Sequence, residues 1–221
     1  FVNTNCFTGL ASVDWTPSSR TTDGADPYVV AIIHNNEGRE ILANRFTTKL
    51  EKGKNRTFNV NGVEFTMVYV EGGTFMMGSD DADAYYYDDE RPVHQVTLSD
   101  YYIGETEVTQ ALWKAVMPEW YISSEWNTPT LPITDVNWYD CQEFIHRLDS
   151  ITGMPFRLPT EAEWEFAARG GNKSKGYRFA GGDKVGEVSW GLDNAGFRTH
   201  SVAGREANEL GLYDMTGNVS E

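Results

Sequence analysis

From Gly171 to Glu221 the chain is rich in glycine and asparagine and shows neither a helical nor a strand period. A closing segment of this kind argues against a doubly wound sheet, in which strand and helix alternate throughout. The rest of the chain points the same way. Strand-like runs come first, followed by two helices, an irregular stretch and one more helix, an order that predicts an α+β fold with many loops.

The best specified of these elements is RLPTEAEWEFAARGG, Arg157 to Gly171. Pro159 blocks helix before it, Thr160 is placed to accept from the first free backbone amides, and Glu163 three residues on completes a capping box. Glu161, Glu163 and Glu165 put negative charge at the positive end of the helix dipole, and Arg169 stands at the other end. Gly170 and Gly171 supply a left-handed stop. Trp164, Ala167 and Ala168 make one apolar face that needs a core. The glutamates therefore predict a scaffold helix rather than a catalytic carboxylate cluster.

Upstream, YVVAII (Tyr28 to Ile33) and REILANRF (Arg39 to Phe46) flank Asn35-Asn36-Glu37-Gly38, which predicts a hairpin inside a small β unit over residues 1–60. EKGKNRT (Glu51 to Thr57) suits a linker or a surface turn. In VEFTMVYVEGGTFMMGS, Val63, Phe65 and Met67 alternate with more polar positions until Gly72-Gly73 breaks the run, a strand-turn-strand pattern. VHQVTL and YYIGETEV are strand-like. A short helix begins at Thr109 and is ended by Pro118; Asn137 caps the next one and Gly153 closes it.

Lys and Arg number 18 against 33 Asp and Glu, a formal charge of -15 that repels phosphate backbones, so nucleic acid is not an expected partner. No apolar run is long enough to span a bilayer. The two cysteines, Cys6 and Cys141, do not form a metal-ligand pair motif. Cys141 shares helical spacing with Phe144, Ile145 and Leu148, which predicts a buried, inert thiol; a nucleophile would need an adjacent base, and His146 is on a different face. His34, His94, His146 and His200 lack paired ligand spacing. The acidic, tyrosine-rich stretch from Asp80 to Pro92 lacks the alternation of a helix-loop-helix calcium loop and is expected as a solvated loop. Triplets at Asn55, Asn172 and Asn218 fit the glycosylation acceptor pattern.

The tail GLYDMTGNVSE carries the most chemistry. Asp214 and Glu221 are hard oxygen donors, and Gly217-Asn218 lets the backbone turn so that carbonyls between them point inward. That suits calcium, whereas zinc would ask for His or Cys. A glycine-turned loop with an exposed aspartate is equally compatible with the same residues.

Five ordered motifs, MVYVEGGTFMMGS, ERPVHQVTLSDYYIGETEVTQALW, LPITDVNWYDCQEFIHRL, MPFRLPTEAEWEFAARGG and GLYDMTGNVSE, resemble the sulfatase-modifying-factor family, which includes the formylglycine-generating enzyme. The resemblance runs from about Val63 to Glu221. It implies a loop-rich variant of the C-type lectin fold over residues 61–221, incomplete at its C-terminus, with closing strands supplied by a further segment or a partner chain. It also implies calcium bound by the Asp214 side chain, the carbonyls of Gly217 and Val219, and the Glu221 side chain. Asn194 and the carbonyl of Ala195 match the first half of another family calcium site, but the loop from Gly196 to Val202 is shorter than the enzyme's and supplies no matching aspartate. Ser220 stands where the family usually has a bulky residue.

The family enzyme oxidises a sulfatase cysteine with a cysteine pair that holds copper. Neither Cys6 nor Cys141 aligns with that pair, so copper is not expected here and no catalytic residue is assigned. The resulting expectation is a non-catalytic, calcium-stabilised module that binds a protein or glycan ligand on a secreted, periplasmic or surface protein. The alternative is a formylglycine-generating oxidase whose cysteine segment lies beyond residue 221. Tyr85 to Tyr87, Trp120, Tyr121 and Trp126 are candidate contact residues, with core and loop packing as the competing role.

Overall fold

A computed structural model describes residues 53–79, 90–123 and 127–220, together with the backbone of two strands, Val29–His34 (β1) and Glu40–Phe46 (β2). The chain divides into two compact units, one over Val13–Lys52 and a larger one that includes Gly53–Glu221. In the smaller, β1 and β2 pair antiparallel from Val29 opposite Phe46 to His34 opposite Glu40, with a register shift at Ile33/His34. The turn expected at 35–38 lies outside the described residues.

The larger unit is built on a three-stranded antiparallel sheet of order β3-β4-β7: Arg56–Val60 (β3), Val63–Val70 (β4) and Tyr101–Gly104 (β7). β3 and β4 are joined by Asn61-Gly62, both left-handed at φ 51 and 89, the geometry of a tight primed turn that matches strand twist. This hairpin straddles residue 60, and its first strand runs into the stretch expected as linker or turn. Thr74–Met77 (β5) and His94–Thr97 (β6) form a second antiparallel pair, with Thr74 and Thr97 hydroxyls 2.8 Å apart.

Period-two alternation gives the main sheet two buried faces. Val60, Met67 and Tyr102 pack with Gln110–Val116 (α1) and Trp138–Thr152 (α2) in a core where the Trp113 and Phe144 rings stack at 4.6 Å. Val68, Val70, Tyr101 and Ile103 point the other way, onto Phe166 and Ala167 of Glu161–Ala168 (α3) and onto Leu212 and Met215 of the tail. A four-residue helix, Val185–Val188 (α4), interrupts the irregular segment.

The helix starts obey local chemistry. Thr109, Asn137 and Thr160 are the N-caps, the latter two in full capping boxes with Asp140 and Glu163, and Gly153 closes α2 at φ 69. Cys141 is fully buried on α2 as its spacing requires, but it is disulfide-bonded rather than a free thiol. A disulfide is decided by the approach of two Cβ atoms, which sequence spacing does not constrain. The chain's other cysteine, Cys6, lies outside the described residues.

Candidate functional site

Of the three glutamates opening α3, two are consumed by the scaffold. Glu163 receives Arg157 through both guanidinium nitrogens, at 2.7 and 2.5 Å, and the Thr160 amide at 2.9 Å. Burial pushes its carboxyl up, but Arg157 and Thr160 outweigh this and hold it below its ordinary value. Glu165 accepts from the Gly78 amide at 3.0 Å and pairs with Arg169, whose guanidinium donates to the Gly78 carbonyl. This clamp ties α3 to the end of β5. Glu161 stands apart, exposed on the wall of a cleft.

That cleft, about 500 Å³, is lined by Pro159, Thr160, Glu161 and Trp164 on one side and Asp214, Met215, Gly217 and Val219 on the other. Asp214 is 3 % exposed with left-handed backbone (φ 58). One carboxylate oxygen, Oδ2, accepts from the Ala203 amide at 2.7 Å; the other, Oδ1, is buried without a hydrogen-bond partner. Burial raises the Asp214 carboxyl, and the Ala203 bond offsets only part of the effect. A buried carboxylate oxygen with no donor calls for a cation or a proton. Gly217, at φ 86, brings its backbone so close to Trp190 that an added Cβ would lie 2.3 Å from the Trp190 carbonyl oxygen.

Three of the residues expected to bind calcium, Asp214, Gly217 and Val219, thus share one cleft; Glu221 lies outside the described residues. Asp214 Oδ1 is a hard anionic oxygen of the kind calcium takes, and the Gly217 and Val219 main chain lies along the same cleft. Among the described residues no three His, Cys, Asp or Glu side chains converge on one point, so a candidate ion here leans on backbone oxygens. Asn194 and Ala195 do not line this cleft. Asn194 Oδ1 accepts from the Gly191 amide at 2.7 Å, its Nδ2 donates to the Ser189 carbonyl at 2.9 Å, and the Ala195 carbonyl accepts from His200 Nε2 at 2.9 Å.

Asn218 links these loops. Its side chain accepts from the His200 amide at 2.9 Å and donates to the His200 carbonyl at 3.1 Å and to the buried Glu107 carboxylate at 2.9 Å. This role was hidden in the sequence, although an asparagine directly after Gly217 is the residue type that tolerates left-handed backbone, here φ 58. The amide nitrogens of Asn218 and Asn172 are both engaged internally, the latter with the Gly72 carbonyl at 2.9 Å.

A second cleft, about 650 Å³, is lined by Glu119, Trp120, Tyr121, Asp135, Phe197 and Arg198 among others. Trp120 packs edge-on against Trp113 at 5.4 Å and belongs to the core margin. Tyr121 and Phe197 are 84 % and 92 % exposed, and Phe197 holds a left-handed φ of 59. An exposed phenylalanine in that conformation is a strained position of the kind found at functional loops. Tyr85 to Tyr87 and Trp126 lie outside the described residues, as do residues 80–89 of the acidic stretch.

Comparison with known proteins agrees with this geometry. The family model described as the sulfatase-modifying factor enzyme 1-like domain matches residues 52–221. The chaperone protein LppX of Paenibacillus barcinonensis is 33 % identical over 70 % of this chain and 69 % of its own length. The inactive C-alpha-formylglycine-generating enzyme 2 of Bos taurus is 28 % identical over 73 % of this chain and 71 % of its own. Among solved structures, variable protein 1 of Treponema denticola superposes with a TM-score of 0.63 at 29 % identity, covering 75 % of this chain and 74 % of that one. With a family match over most of its length and the lectin-like arrangement of sheet and loops, the chain belongs to the sulfatase-modifying factor enzyme 1-like domain family.

Proposed function

We propose that this chain is a non-catalytic, calcium-stabilised ligand-binding module acting outside the cytoplasm. One observation carries the calcium assignment: the buried Asp214 Oδ1 that lacks any hydrogen-bond donor beside the Gly217 and Val219 backbone. The aromatic-walled cleft with Tyr121 and Phe197 at its mouth offers a ligand both apolar ring faces and polar groups. Cys141, buried in a disulfide, is not a free thiolate for oxygen chemistry, and a disulfide favours an oxidising compartment. A relative named as inactive supports a scaffold that persists without catalysis.

The competing reading, oxidation of a sulfatase cysteine to formylglycine with copper, draws on the family match itself. It would require a cysteine pair other than Cys6 and Cys141. Mass spectrometry of a sulfatase-derived cysteine peptide after incubation with copper and the natural protein, including whatever is encoded after Glu221, separates the two: conversion to the aldehyde would establish the enzyme reading, and unchanged thiol is expected.

For the ion, thermal melts in millimolar calcium and in chelator are the test. A hundredfold excess over Kd adds about 2.7 kcal/mol, which corresponds to a rise on the order of 5–10 °C for a chain of this size. Asp214→Ala is expected to abolish the rise. Superimposable wild-type curves would remove the site.

A further inference from the structure

We infer that the loop from Trp190 to Arg205 takes no metal ion and is held instead by a three-layer stack of His200, Trp190 and Arg205. The family resemblance would place an ion on the Asn194 side chain and the Ala195 carbonyl, but each oxygen already accepts a hydrogen bond, one from the Gly191 amide and one from His200 Nε2. For the His200 ring to donate to a carbonyl, its proton must sit on Nε2. An ion at Ala195 would therefore have to share that oxygen with the His200 Nε2 proton, whose partial positive charge opposes a cation beside it. Calcium also wants six to eight oxygens, and the neighbouring acid, Asp193, is exposed.

What replaces the ion is visible in the rings. The His200 imidazole lies parallel to the Trp190 indole, centroids 3.7 Å apart and planes inclined by 9°. The Arg205 guanidinium carbon sits 3.6 Å from the centroid of the same indole. Two groups this close to one ring cannot share a face, so Trp190 is sandwiched. Arg205 Nε is buried without a hydrogen-bond partner, which leaves the face-on contact with Trp190 as the interaction stabilising that side of the cation. His200 then passes the anchoring on, through its backbone to Asn218 and through its ring to Ala195.

One consequence concerns ligand binding. Phe197, at the mouth of the aromatic cleft, sits inside this loop, so the stack positions that wall whether or not calcium is present. The inference about the loop stands independently of the ion at Asp214.

Calcium titration by calorimetry on the full chain, stripped beforehand with chelator, tests it. Asp214→Ala is expected to show no saturable calcium uptake, and Asn194→Ala is expected to keep the wild-type stoichiometry and affinity. A site that remains in Asp214→Ala and is lost on adding Asn194→Ala would overturn the inference. If the wild type takes no calcium at all, the assignment at Asp214 fails while the ion-free loop is upheld. The second readout is His200→Ala, expected to lower the melting temperature by at least about 2–4 °C to the same extent in calcium and in chelator; a loss that calcium restores would mean that an ion can hold the loop, and the stack would not be its anchor.

Discussion

The sheet-and-helix part of the larger unit, residues 56–168, and the irregular part that follows it are held by different physics. In the first, buried residues are overwhelmingly apolar and interlock in two clusters on either side of one sheet. In the second, the buried positions include Ser189, Asn208 and Asp214, and the backbone turns left-handed at Phe197, Ala203, Asp214 and Asn218 as well as at several glycines. Apolar packing loses stability by degrees as atoms are removed, whereas a polar network fails when one member leaves its partners buried and unsatisfied. The irregular part is thus the more exacting half of the molecule, even though it contains little regular structure.

The largest expected effect is in the regular half. Trp113 is fully buried and stacked on Phe144, so Trp113→Ala should cost about 3–5 kcal/mol, measured as a fall in the denaturant midpoint at unchanged slope. A loss below that of any loop substitution would break the contrast. Asn208 is the corresponding residue of the loop half: its Nδ2 donates to the Ala167 carbonyl at 2.7 Å and the Ala168 carbonyl at 3.3 Å, while Oδ1 accepts from the Leu210 and Leu212 amides. Asn208→Ala removes few atoms but strands the end of α3 and two amides, and about 2–3 kcal/mol should be lost. Hydrogen exchange should rise first at Leu210 and Leu212; exchange rising uniformly would argue against a local network.

The smallest effect sharpens the comparison at the junction of the two halves. The folded Glu163 carboxyl is held below its ordinary value of 4.5, so its stabilising effect is fully present above that value and is lost as pH falls through the lower folded value. Glu163→Gln should therefore cost about 1–2 kcal/mol near neutrality, with the gap to wild type closing under acid. Parallel stability curves across that range would show that Arg157 contributes no ionic stabilisation through Glu163.

Much of the regular half was legible because its signals are local. Thr160 with Glu163, Asn137 with Gly153, and the alternation around Met67 each specify an element within a few residues. β3 was not anticipated, because its first residues fall in the polar stretch Glu51 to Thr57 read as a linker or surface turn; Asn61-Gly62, which joins it to β4, is the local signal that could have shown it. At the candidate site, the clustering of Asp214, Gly217 and Val219 agrees with their spacing, because a short glycine turn keeps near neighbours together. The stack of His200, Trp190 and Arg205 had no sequence signature, since its members come from separate turns and meet only through ring geometry.

By itself the sequence determined the ends of α1, α2 and α3 and the net negative charge, because capping, periodicity and net charge are properties of neighbouring residues or of their sum, while the family was legible as a resemblance carried by five ordered motifs. Only the tertiary structure decided that Cys141 is a disulfide half rather than a thiol, that Asp214 is left with an unsatisfied oxygen, and that Asn194 and Ala195 are occupied by protein groups. Each of these depends on which distant atom arrives within hydrogen-bonding or bonding distance. Spacing along a chain carries no record of that arrival when the intervening segment has no period to propagate.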